Sequence, residues 1–82
     1  MKEYVSVDVE TTGLAPKQDK IIEIGAVRVR DGQIVGSFTS FVNPGRILPA
    51  HITELTGILQ EQVDEAETME SVLPAFLEFA GD

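Results

Sequence analysis

The chain has no cysteine, one histidine, one tyrosine, and six basic residues against fourteen acidic ones. Without cysteine there is neither a disulfide framework nor a Cys-based zinc site. No apolar run approaches the roughly 18 residues needed to cross a bilayer, and the N-terminus does not combine a basic segment with a long apolar run. These absences argue against a membrane role and lead to the expectation of a soluble, cytoplasmic protein. The net charge of −8 argues against a basic nucleic-acid footprint. It is also uneven: residues 1–42 carry five basic and six acidic side chains, a balance of −1, and residues 43–82 one basic and eight acidic, a balance of −7. If this chain handles a polyanion, metal ions must bridge to phosphate. Acidic helices that simply keep a small domain soluble account equally well for the second half. Repeats, low-complexity tracts and linkers are also missing.

Eighty-two residues make at most one small domain, of a size that buries only about 60–65% of its unfolded surface. Its centre is the stretch Tyr4-Val5-Ser6-Val7-Asp8-Val9-Glu10-Thr11-Thr12-Gly13-Leu14. β-Branched valines alternate here with polar residues, the period of a strand. Asp8 and Glu10 therefore share one face, about 6.5 Å apart along the strand, and can lean towards one point. Two like charges so placed cost folding energy unless a cation, a proton or water offsets them. A divalent cation would fit that point. Thr11-Thr12-Gly13 then turns the chain, offering hydroxyls and backbone N–H groups beside the acids.

A polar connector over 15–20 leads to a second strand at 21–30, apolar first and charged at its far end. Asp31-Gly32 is a hairpin signal, and a third strand at 33–42 pairs back to complete a meander. Asn43-Pro44-Gly45 closes it. Pro49 suits a first helical position, Ile52 and Leu55 share a face, and Gly57 is a natural stop. A further short turn is expected over 60–66. A last helix with Thr68 as N-cap carries Val72, Leu73, Phe76, Leu77, Phe79 and Ala80 as an apolar stripe, kinked at Pro74. Phe76 and Phe79 are expected to pack on the sheet. Glu23 and Gly25 share a strand face, where the glycine leaves room opposite. Glu23 either hydrogen-bonds backbone within the fold or holds the Thr11-Thr12 turn or a metal-bound water. It is not counted as a metal ligand.

Asp8-Val9-Glu10-Thr11-Thr12-Gly13-Leu14 resembles the first motif of the DnaQ-like DEDD (DEDDh) exonucleases, whose proofreading members include the epsilon subunit and the PolC-type domain of bacterial replicative polymerases. Ile21-Ile22-Glu23-Ile24-Gly25-Ala26-Val27 and Leu55-Thr56-Gly57-Ile58 resemble two further landmarks in order, so the resemblance runs through the whole chain. It implies an α/β, ribonuclease-H-like fold: a three-stranded antiparallel meander, then short helices and one longer C-terminal helix. It also implies a 3′-to-5′ exonuclease with two Mg2+ or Mn2+ ions. Asp8 would bridge both ions, and Glu10 would hold the one that activates water. Thr11, Thr12 and Gly13 would contact the terminal nucleotide and Leu14 would wedge against the last base, unless Leu14 is a small core plug.

The family's remaining acids and general-base histidine belong to Asn-x-x-Phe-Asp and His-x-x-x-x-Asp motifs, and residues 1–82 contain neither. His51 precedes the expected base motif and is refused that role, leaving it as a substrate contact or a solvent-facing helix residue. Thr56 stands where many relatives carry histidine, which puts a phosphate contact in doubt, and Leu59 replaces a usual Thr or Ser cap. The expectation is that residues 1–82 are the N-terminal half of one exonuclease domain, inactive alone. Its substrate would be a single-stranded DNA 3′ end and its setting a polymerase or helicase chain or subunit. The first strand, lacking its parallel partner, would be an open edge prone to self-association. An exoribonuclease of the same fold and a non-catalytic partner-binding module remain as alternatives.

Overall fold

The computed structural model describes residues 2–13 and 19–81. Three strands, β1 (Glu3–Thr11), β2 (Ile21–Arg30) and β3 (Gln33–Phe41), precede three helices, α1 (Ala50–Thr56), α2 (Gln60–Asp64) and α3 (Met69–Ala80). The sheet order is β1-β2-β3 and both pairings are antiparallel. β2 has a neighbour on each side, and its burial alternates: Ile22, Ile24 and Ala26 are buried on one face, with Val29 buried after the register shift at Arg28/Val29. Among the described residues β1 pairs only with β2, and its Val7 and Val9 are 48% and 42% exposed.

The Asp31-Gly32 turn closes the β2–β3 hairpin between the paired residues Arg30 and Gln33. Its φ angles of 50° and 83° are those of a type I′ turn. The Asp31 N–H donates to the Lys2 carbonyl at 2.8 Å and the Lys2 N–H returns a bond to Asp31 Oδ1 at 3.0 Å, tying the start of β1 to the hairpin. β3 ends at Phe41 instead of Val42, although the Val42 N–H still donates to the Ile22 carbonyl at 2.8 Å.

Two apolar clusters lie under the helices. Ile22 packs with Leu48, Ile52, Ile58 and Val63, and Ile24 packs with Val42 and Val72. Burying each such side chain contributes about 1.5–3 kcal/mol. The α3 stripe is narrower than the sequence suggests. Val72 is buried and Phe38 stands 5.8 Å from both Phe76 and Phe79, but Leu73 and Leu77 are 43% and 52% exposed. A helix laid on one small sheet buries a single row, and 73 and 77 fall on the adjacent one. α1 departs in the same way: Ile52 is buried while Leu55 is 79% exposed.

Cap details also differ. Pro49 is the N-cap of α1, in extended geometry with ψ 142°, and not its first helical residue. Gly57 ends α1 at φ 79° as expected. Leu59 has no side-chain acceptor to offer α2, but Gln62 Oε1 accepts the Leu59 N–H at 2.8 Å, which restores half of a capping box. Thr68 caps α3 through its carbonyl, accepting Val72 N–H at 3.0 Å, without a side-chain bond. Pro74 is the sixth residue of α3, so Glu70 loses the amide that would have met its carbonyl.

At the far end of the sheet, Arg28 Nη1 donates to Glu3 Oε2 at 2.9 Å and Arg30 Nε to Glu3 Oε1 at 3.2 Å. Bonding to Arg28 first, and then to Arg30, holds the Glu3 carboxyl below its usual range. Arg28 also donates through Nη2 to the Phe79 carbonyl, with its guanidinium 5.6 Å from the Phe79 ring centroid. One cation thus joins the strand edge to the last turn of α3.

Candidate active site

Strand alternation puts Asp8 and Glu10 on one face of β1, opposite Gly25 and Glu23 of β2. Among the described residues neither the Asp8 nor the Glu10 side chain is in a hydrogen bond or an ion pair. Three carboxylates therefore share this face with no cation from the described residues against them, an arrangement that works against folding unless a positive ion arrives. Glu23 does not complete a metal cluster: no group of three or more ligating side chains forms among the described residues. Asp8 and Glu10 suit magnesium or manganese in kind, as paired oxygen donors, and fall short in number. They fit as half of a site.

The β1–β2 register shifts between Glu10 and Thr11, which turns the chain off the ladder just after the second acid. Thr12 is 3% exposed, and its hydroxyl donates to Asp19 Oδ1 at 2.9 Å and accepts the Lys20 N–H at 3.0 Å. The Thr12 N–H donates to the Lys20 carbonyl at 2.9 Å. Thr11 Oγ1 donates to the Gly13 carbonyl. Asp19, not Glu23, holds the turn. The signal was in the chain: a threonine tucked behind a strand end needs an acceptor, and Asp19 is the only acid in the connector.

Glu10, Thr11 and Gly13 line one side of a groove of about 530 Å³ whose other wall is α1, through His51, Leu55 and Thr56. The fold thus brings together five of the residues singled out from the sequence. Asp8, on the same strand face as Glu10, lies outside that lining. His51 is exposed towards the groove. Thr56 is otherwise engaged: its hydroxyl donates to the Ile52 carbonyl at 2.8 Å and accepts the Ile58 N–H at 3.1 Å. Leu55, read as sharing a helix face with Ile52, presents an apolar surface to the groove while Ile52 is buried. Leu14 lies outside the described residues, as do residues 15–18.

A family model described as Exonuclease (RNase_T) matches residues 5–82. The chain belongs to this exonuclease family. A PolC-type DNA polymerase III from Clostridium perfringens is 55% identical over 80 residues, covering 98% of this chain and 6% of that protein. The nuclease domain of 3′hExo, a DEDDh family member solved with rAMP, superposes with a TM-score of 0.82 at 30% identity, over 94% of this chain and 42% of that one. Exonuclease X in complex with 5′ overhanging duplex DNA gives a TM-score of 0.78 at 32% identity, over 89% of this chain and 42% of the other. The chain is thus a DnaQ-like exonuclease segment with a ribonuclease-H-like strand meander. It spans a small fraction of its polymerase relatives and under half of the two nuclease chains. None of its helices, among the described residues, is long and apolar enough to cross a membrane.

Proposed function

We propose that these residues are the front half of a proofreading 3′-to-5′ exonuclease domain in a PolC-type replicative polymerase, acting in the cytoplasm on single-stranded DNA 3′ ends. The observation that supports this best is the placement of Asp8 and Glu10 on one strand face, with Glu10 continuing into a groove walled by the Thr11-Gly13 turn and by His51. The 55% identity with a polymerase of that type favours DNA as substrate. Asp8 and Glu10 would hold Mg2+ or Mn2+, two ions in the complete site. Such ions supply a nucleophilic water at neutral pH and offset charge on the phosphate and leaving oxygen.

The protein's own residues do the rest. The turn from Thr11 to Gly13, with Leu14 beyond it, seats the terminal nucleotide without reading its sequence. His51 faces the same groove and contacts phosphate or sugar. Thr56, whose hydroxyl is committed to backbone bonds, serves mainly to join α1 to Ile58. Two acids do not make a full site, so residues 1–82 alone are expected to be inactive, with the β1 edge covered by the remaining half of the domain or by a second copy.

An exoribonuclease is the second reading, favoured by the likeness to a 3′-exonuclease solved on a histone mRNA stem-loop, with TM-score 0.83 and 30% identity. Matched 5′-labelled DNA and RNA oligonucleotides, digested by the complete protein and by its Asp8→Ala and Glu10→Ala variants, test both. Stepwise shortening of DNA that both substitutions abolish is the expected result. Preference for RNA would move the assignment to the second reading, and activity retained in either variant would defeat the site.

A further inference from the structure

The turn that follows the two acids is pinned by a side chain from the far end of the connector. Thr12 is almost inaccessible to water, and the acceptor for its hydroxyl is Asp19 Oδ1 at 2.9 Å. Gly13 packs on the same carboxylate so closely that a Cβ there would lie 2.5 Å from Asp19 Oδ2 and 2.8 Å from its Cγ. The backbone repeats the clamp, through Thr12 N–H to the Lys20 carbonyl at 2.9 Å and Lys20 N–H to the Thr12 hydroxyl at 3.0 Å. Glu10, Thr11 and Gly13, all lining the groove, are adjacent to or part of the clamped segment. Asp19 and Thr12 belong to neither apolar cluster, so releasing them loosens the turn while the sheet and helices keep their packing.

We propose that Asp19 is a positioning residue: by accepting the Thr12 hydroxyl and occupying the space against Gly13, it sets the place of the turn that seats the terminal nucleotide. This rests on the assignment of that turn as a nucleotide contact. A buried hydroxyl left without an acceptor is driven to move towards water, and the attached backbone moves with it. A displaced seat weakens capture of the nucleic-acid end more than it alters the carboxylates on β1, so the loss falls on KM.

The test uses the complete protein with a 5′-labelled single-stranded oligodeoxynucleotide in Mg2+, comparing wild type with Asp19→Ala, Asp19→Asn, Thr12→Val, the Asp19→Ala/Thr12→Val double variant and Asp8→Ala as the reference for lost chemistry. Asp19→Ala is expected to raise KM roughly tenfold with kcat within about threefold. Asp19→Asn keeps an acceptor oxygen and should restore KM to within about threefold. Thr12→Val also removes the acceptor for the Lys20 N–H, so it should raise KM at least as much as Asp19→Ala, and the double variant should be no worse than Thr12→Val alone, as expected for partners in one bond. Amide exchange at Thr12 should quicken in Asp19→Ala while the β2–β3 amides keep their protection. A KM within twofold of wild type in Asp19→Ala, equal losses in the alanine and asparagine variants, additive losses, or unchanged exchange at Thr12 would each overturn the proposal. If wild type fails to cut, or Asp8→Ala still cuts, the nuclease assignment falls, and the exchange measurement alone decides whether Asp19 holds the turn.

Discussion

Asp8 and Gly25 stand directly opposite one another in the β1–β2 ladder, and a Cβ built on Gly25 would come no closer than 3.9 Å to the Asp8 carbonyl oxygen. The face beside the first acid is therefore open because the residue across from it has no side chain. Gly25→Ala should fold with stability within about 1 kcal/mol of wild type, since the added methyl meets only ordinary contact. Gly25→Leu should fill the face beside Asp8 and lower nuclease activity more than tenfold, by the misplacement argument for reacting groups, while circular dichroism stays native. Full activity in Gly25→Leu would show that this space is not used.

The Glu3–Arg28 contact makes a prediction in pH. Glu3's carboxyl is lowered by Arg28 and then by Arg30, so its contribution to stability is present above the unfolded carboxylate value and is lost as pH falls through the folded one. In urea titrations, wild type should exceed Glu3→Gln by a constant margin at neutral pH, and the margin should close below the ordinary value of 4.5. Salt should shrink it too, because the pair is partly exposed, with side-chain accessibilities of 26% and 32%. A margin that grew on acidification would contradict the assignment.

Pro74 lies inside α3 and is exposed. Pro74→Ala returns an amide to the Glu70 carbonyl and relieves the ring clash, so it should stabilise the protein by roughly 1–2 kcal/mol, less than the full cost of about 3 kcal/mol because the freed chain also gains entropy when unfolded. Denaturant midpoints of the two proteins measure it.

Gly57 supplies the left-handed residue that ends α1 at φ 79°, and a Cβ added there would meet nothing within 4 Å. Gly57→Ala should therefore cost about 1 kcal/mol through backbone strain alone. An unchanged melting temperature would show that the α1 end yields without strain.

What could be read from the residues tracks how local the cause is. Asp31-Gly32 and Gly57 are legible because positive φ is a property of one or two residues. The face shared by Asp8 and Glu10 follows from strand alternation alone. Leu55, Leu73 and Leu77 are not legible: helical spacing marks them as apolar, but only the width of the three-stranded sheet decides which row is covered. The Thr12–Asp19 bond spans a seven-residue separation across the connector, so periodicity is silent about it. The chemical need of a buried hydroxyl for an acceptor was the available clue.

The proposed chemistry depends on the two carboxylates of β1 gripping a divalent cation. The most direct measurement is the manganese anomalous signal from crystals of the complete protein grown or soaked in Mn2+. A peak within bonding distance of both Asp8 and Glu10, lost in Asp8→Ala, is the predicted result. Well-ordered crystals with no peak there, and both side chains turned to bulk solvent, would contradict it.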